Sequence, residues 1–270
     1  MTAVRIGAFL SACAFALAAH AAQAADQQVR FPWQPGWLKS YDSRSLSGEL
    51  TGHLFRPAAD GRRPFIVFLH GCNGLSLRNV RPWVDFFVRE GVGVLMVDSL
   101  TPRERAEACG DLREPWVRRR ADDATSALSW LASQPYADPQ RIALMGQSQG
   151  ASALLLALHE GNRGGAGFVG GIAMYPGCEP ASRAHVKLAR PVLLMIGDAD
   201  NWTPPAACET FKAGQHGRLE MIVYPGALHA FDYPIREMLV QGGKYRIGEN
   251  PAARADAQRR VKAFIDERLR

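Results

Sequence analysis

Cysteine is scarce in this sequence, five in 270 residues, and no two of them form a C-x-x-C pair or sit beside clustered histidines. The spacing of a structural zinc site is therefore missing, and no metal is expected. Internal repeats, low-complexity tracts and long linkers are missing too, which excludes a solenoid and leaves one compact domain. Charge of one sign does not dominate: 32 Lys+Arg face 26 Asp+Glu, a net +6. Much of the excess is arginine in short clusters, Arg118-Arg119-Arg120 and Arg259-Arg260, which fall in helical stretches and read as solvated outer faces. No nucleic-acid-binding motif accompanies those clusters, so nucleic acid is not an expected partner. What remains, 47% hydrophobic and 21% charged, is the composition of a globular domain with a sizeable core.

Residues 1–24 read as a secretory signal rather than as part of the fold. Arg5 supplies the positive region, Ile6 to Ala19 the apolar one, and Ala22-Gln23-Ala24 a small-x-small cleavage site before Ala25. The apolar run is short for a bilayer span, so no stable membrane span is expected in the mature chain, residues 25–270. Leu10-Ser11-Ala12-Cys13 resembles a bacterial lipobox, which makes a lipoprotein anchored through Cys13 the alternative. Lipidation there would leave the mature chain starting with the rest of the apolar segment. A periplasmic or secreted protein is the expectation.

Beyond the signal, strand and helix patterns alternate. Strands are predicted over 50–56, 64–70, 92–98, 141–146, 168–175, 192–197 and 219–224. Helices are predicted over 78–90, 116–133, 148–160, 205–214 and 251–269. Continuous apolar strands between amphipathic helices imply a mostly parallel central sheet, of about eight strands, covered on both faces. The first strand alternates Leu50, Gly52 and Leu54 and reads as an antiparallel edge. Too few residues separate Tyr175 from Val192 for a lid domain, so the mouth of any site is expected to be open.

The pentapeptide Gly146-Gln147-Ser148-Gln149-Gly150 joins the apolar run Arg141–Met145 to the helix-forming run Ala151–Leu158. Strand, sharp G-x-S-x-G turn and helix form the context in which a serine becomes a nucleophile. A helix N-cap is the plainer role for Ser148. Asp198 and Asp200 follow the strand 192–197, His229 follows the strand 219–224, and His70-Gly71-Cys72 follows the strand 64–69. Serine, acid, then histidine, each just past a strand, is the order of the α/β-hydrolase sheet. Asp232, three residues beyond His229, reads as a surface residue. His70 reads as a hydrogen-bonding part of an oxyanion loop, while His53, His159, His185 and His216 lack any catalytic context.

From about Leu50 to Arg270 the chain resembles the dienelactone hydrolase family of α/β-hydrolases. The residues that carry the likeness are His70-Gly71, Val97-Asp98, Gly146-x-Ser148-x-Gly150, Gly197-x-x-Asp200-x-x-x-Pro204 and Gly226-x-x-His229-x-Phe231. The resemblance implies hydrolysis of an activated acyl group with no cofactor, and it favours Asp200 over Asp198 as the acid. The founding members carry a cysteine where this chain has Ser148, which separates it from the dienelactone substrate itself. The resemblance also implies a carboxylate-binding arginine in the loop after Asp98, where Arg103 stands.

On this reading Ser148 attacks, His229 takes its proton, and Asp200 holds the other ring nitrogen. The backbone N–H groups of Cys72 and Gln149 form the oxyanion hole. Tyr175, Trp202 and Phe231 adjoin these positions and read equally as pocket lining or as core. With Cys13 removed, Cys72, Cys109, Cys178 and Cys208 remain, and in an oxidising compartment they imply two disulfides with three connectivities open. The strand map favours Cys178 with Cys208, both just past neighbouring strand ends, leaving Cys72 with Cys109. Four buried thiols are the plainer alternative. Three function classes follow: an exported serine esterase or lactonase taking small substrates, a peptidase or acyltransferase with the same triad, and a non-catalytic binding protein. The lack of a gating domain counts against a gated oligopeptidase, and the complete triad counts against a decayed binding module.

Overall fold

The computed structural model describes residues 26–34, 48–58, 60–109 and 114–270. The expected signal segment, with Cys13 and the cleavage site before Ala25, lies outside the described residues. The strands are β1 (Asp26–Pro32), β2 (Glu49–Phe55), β3 (Arg63–Leu69), β4 (Gly93–Asp98), β5 (Ala137–Gln147), β6 (Gly171–Met174), β7 (Val192–Gly197) and β8 (Leu219–Tyr224), followed by a small hairpin of β9 (Met238–Val240) and β10 (Tyr245–Ile247). The helices are α1 (Leu77–Arg89), α2 (Glu114–Ala132), α3 (Gln149–Ala157), α4 (Glu179–Arg183), α5 (Ala206–Ala213) and α6 (Pro251–Arg268).

Eight strands form one sheet in the order β1-β2-β4-β3-β5-β6-β7-β8. Every pair from β4 to β8 in that order is parallel, while β1 with β2 and β2 with β4 are antiparallel. The central parallel strands are largely apolar because both faces are covered; all six residues of β7 and all four of β6 are buried, whereas β8 is partly exposed. Right-handed crossovers then fix the layers. The path β3–α1–β4 runs one way along the sheet, whereas β4–α2–β5 and β5–α3–β6 run the other, so α1 lies on the face opposite α2 and α3. Helix α6 joins the α1 side, where Lys262 and Arg270 both reach Glu90. It starts cleanly, with Asn250 capping Ala253 N–H and Pro251 in the first turn.

Two sequence-level expectations change. The strand at 49–55 is antiparallel but not the edge, because β1 pairs along its whole length, from Asp26 with Phe55 to Pro32 with Glu49. Only Phe31 of β1 is buried, so the strand gave no apolar run to detect. The β9–β10 hairpin was also unforeseen, since three-residue strands are too short for a period to show. Between β6 and β7 the chain makes only the short α4, and among the described residues there is no lid domain. Two disulfides close, Cys72–Cys109 and Cys178–Cys208. Among the described residues no helix is long and apolar enough to cross a membrane.

Candidate active site

The carboxyl ends of β3, β5, β7 and β8 converge on one rim, as parallel α/β sheets dictate for ligand sites. Ser148 sits between β5 and α3 with φ 52 and ψ −122, a conformation L residues rarely adopt. The flanking glycines make that turn possible. A Cβ at Gly146 would collide with the backbone of Gly150, and one at Gly150 with the carbonyls of Leu69 and His70. Tyr175 and Ala230, past the ends of β6 and β8, also have positive φ, 41 and 59. Backbone strain therefore gathers around the serine.

Ser148 Oγ lies 2.9 Å from His229 Nε2, and His229 Nδ1 lies 2.7 Å from Asp200 Oδ2. All three residues are buried or nearly so. The carboxylate is held from every side: Oδ1 accepts the N–H groups of Trp202 and Thr203, and Oδ2 accepts the Thr203 hydroxyl besides facing the ring. Asp198 instead accepts Gly226 N–H at 2.7 Å and ties its loop to the turn after β8. An imidazole between a buried carboxylate and a hydroxyl is an arrangement that can move a proton off the oxygen.

Two chambers meet at Ser148. One, of about 130 Å³, is lined by the Cys72–Cys109 disulfide, Tyr175, Trp202, His229, Tyr233 and the hairpin residues Val240 and Ile247. The other, of about 300 Å³, is lined by Val117, Gln149, Ser152, Glu179, Arg183 and Thr203. Ser148 and Trp202 are the residues the two linings share. Trp202 is fixed by stacking on Tyr245 of β10, with ring centroids 4.7 Å apart and planes 3° from parallel. Phe231 is not at the surface of either chamber; it is fully buried against Tyr175 and Tyr224 and belongs to the core. Arg103 is not there either. Its guanidinium is bidentate to buried Asp123, at 2.6 and 2.8 Å, and donates to Ser99 O, so position in the loop misled about its role.

Two polar residues expected at the surface are buried. Arg120, expected on a solvated face, is fully buried and donates to His70 O and to Gln149 Oε1, the latter at 3.0 Å. Its neighbours one helical turn away, Val117 and Ala124, are core residues, so the apolar stripe of α2 already enclosed it. Burial lowers its pKa to about 10, against the raising effect of Asp123. His70 above it donates from Nδ1 to Gly71 O at 2.6 Å and accepts Ser99 N–H at Nε2. Burial first, then the Arg120 charge, bring its pKa down to about 3 and keep the ring neutral. Asp232, expected at the surface, is 1% exposed because Trp83 Nε1, Gln147 Nε2 and Tyr175 Oη all donate to it, at 2.6, 2.6 and 2.7 Å. Burial raises its pKa, and those three bonds oppose the rise.

The profile of the dienelactone hydrolase family matches residues 50–269. The chain belongs to that family. The fold of this α/β-hydrolase is shared with the crystal structure of dienelactone hydrolase from Anabaena variabilis ATCC 29413, at a TM-score of 0.64 and 21% identity over 91% of this chain and 99% of that one. Among curated relatives, Rv0571c of Mycobacterium tuberculosis strain H37Rv, which carries a phosphoribosyl transferase name, is 27% identical over 198 residues. Phenmedipham hydrolase of Pseudarthrobacter oxydans is 37% identical over 119 residues. Those alignments take in 68% and 41% of this chain but only 40% and 23% of the relatives, so this chain spans less than half of either protein.

Proposed function

We propose that this hydrolase cleaves small ester or lactone bonds through an acyl-enzyme on Ser148. The observation that carries the reading is the unbroken line Asp200–His229–Ser148, at 2.7 and 2.9 Å, ending at a strained serine between two chambers. His229 Nε2 takes the Ser148 proton as Oγ bonds to the substrate carbonyl, and Asp200 stabilises the imidazolium. The new oxyanion is received by the backbone N–H groups of Cys72, past the end of β3, and Gln149, in the first turn of α3. When the tetrahedral adduct collapses, the carbon–oxygen bond to the alcohol breaks and His229 returns the proton to the leaving oxygen. Water, deprotonated by the same ring, then attacks the acyl carbon; the bond to Ser148 Oγ breaks, His229 returns the proton to that oxygen, and the acid leaves. Because Cys72 contributes a backbone group, its sulfur is free to bond Cys109.

Export through the N-terminal signal belongs to the same reading, and two disulfides support an oxidising compartment. The decisive experiment is a fluorophosphonate probe, which phosphonylates an activated serine with loss of fluoride. Labelling of the wild type but not of Ser148→Ala is expected. Equal labelling of both, or of neither, would remove Ser148 as the nucleophile.

A further inference from the structure

The two chambers are unequal, and only one of them touches the proton donor. His229 lines the smaller, aromatic chamber and is absent from the larger. A leaving alcohol must place its oxygen within hydrogen-bonding reach of His229 Nε2, about 3 Å, or it departs as an alkoxide. The leaving group is thus assigned to the chamber of about 130 Å³, lined on one side by the Cys72–Cys109 disulfide and on another by Val240 and Ile247. The acyl portion is left the chamber of about 300 Å³, whose lining includes the charged Glu179 and Arg183 of α4. Trp202 stands in both linings, as a wall between the halves of the substrate, and its stack on Tyr245 keeps it in place.

From this asymmetry we infer that the substrates are short-alcohol esters of bulkier carboxylic acids that carry hydrogen-bonding groups, with Trp202 as the residue that sorts the two ends. The inference rests on the proposed acyl-enzyme reading and narrows it. A long alcohol meets the disulfide and the hairpin; a long acyl group meets the larger chamber, with one acidic and one basic side chain to pair with its polar atoms. An amide-bearing acid satisfies both kinds of partner, as a donor to Glu179 and an acceptor from Arg183.

A mirrored pair of esters tests the assignment on the wild-type enzyme. Methyl hippurate carries a benzamide group on the acyl side and methanol as leaving group. The acetate ester of N-(2-hydroxyethyl)benzamide carries the same benzamide group on the alcohol side and a small acyl group. Methyl hippurate is expected to have the larger kcat/KM, by about tenfold or more, the scale on which pocket fit discriminates. In Trp202→Ala the ratio is expected to move towards one. Equal or reversed preference in the wild type overturns the assignment of the chambers, and an unchanged ratio in Trp202→Ala overturns the role of the wall. If neither ester turns over while Ser148 still takes the fluorophosphonate, the substrate class is wrong and the nucleophile stands. Failure to label removes both.

Discussion

Two buried polar clusters flank Ser148, and they are opposite in charge. Under the loop after β3 lies a cation, Arg120, bonded to His70 O and to the side chain of Gln149, with Asp123 and Arg103 behind it. Under the histidine loop lies an acid, Asp232, bonded by three neutral donors from α1, from the residue before Ser148 and from the residue after β6. Burial of an unpaired charge is expensive, so each cluster is organised around supplying partners. The difference has a chemical direction. On the proposed mechanism, negative charge develops beside Cys72 and Gln149 during attack, and positive charge develops on His229. The fixed cation sits on the first side and the fixed acid on the second, a polarity preorganised for charge separation.

Breaking the cationic cluster is expected to have the largest effect. Arg120→Met removes the bonds that hold the carbonyl before Gly71-Cys72 and the side chain of Gln149, so both segments proposed to receive the oxyanion relax. A fall in kcat of roughly 100-fold, with a smaller change in KM, is the scale for a displacement of about 1 Å. Stopped-assay kinetics on any turned-over ester read this, and unchanged kcat would make Arg120 structural only. The acid cluster should respond less, because each of its donors has another anchor in the core.

The pH dependence of stability sharpens the contrast, since the two clusters contribute slopes of opposite sign. His70 has a folded pKa of about 3 and an unfolded value near 6.5. The neutral ring contributes fully above the unfolded value, and that contribution is lost as the pH falls towards the folded one. The slope in that window is at most about 1.4 kcal/mol per pH unit. Urea midpoints measured at pH 7 and pH 4.5 should therefore converge in His70→Gln relative to the wild type; parallel losses would show that the ring is not held neutral. Asp232, whose pKa is raised by burial, does the reverse. The fold binds its proton more tightly than the unfolded chain does, so this contribution is lost as the pH rises past the ordinary carboxylate value. Asp232→Asn should lose less stability than the wild type between pH 4 and pH 7 in the same urea titrations. The effect is the smallest of the three because the bonds from Tyr175, Trp83 and Gln147 already offset part of the burial.

Arg120 stood in a triple-arginine run, and the run has the look of a wet surface; only its spacing of three from Val117 placed it on the core face. Asp232 carried no local signal at all, since its three donors are 149, 85 and 57 residues away in the chain. The hairpin β9–β10, which closes the small chamber, was hidden by its length, and Arg103 was placed by loop position when an ion pair with Asp123 decides where it points.

Local chemistry in the chain was sufficient for the alternation of apolar strands and helices, the G-x-S-x-G turn, and the order of serine, acid and histidine past successive strand ends. Periodicity and glycine sterics act over a few residues, so a linear string records them. The division of the rim into two chambers, the burial of Arg120 and Asp232, and the wall made by Trp202 against Tyr245 were decided only by the folded molecule. Each depends on which distant side chains meet when eight strands stack in a non-sequential order, and that adjacency is a property of the packed sheet.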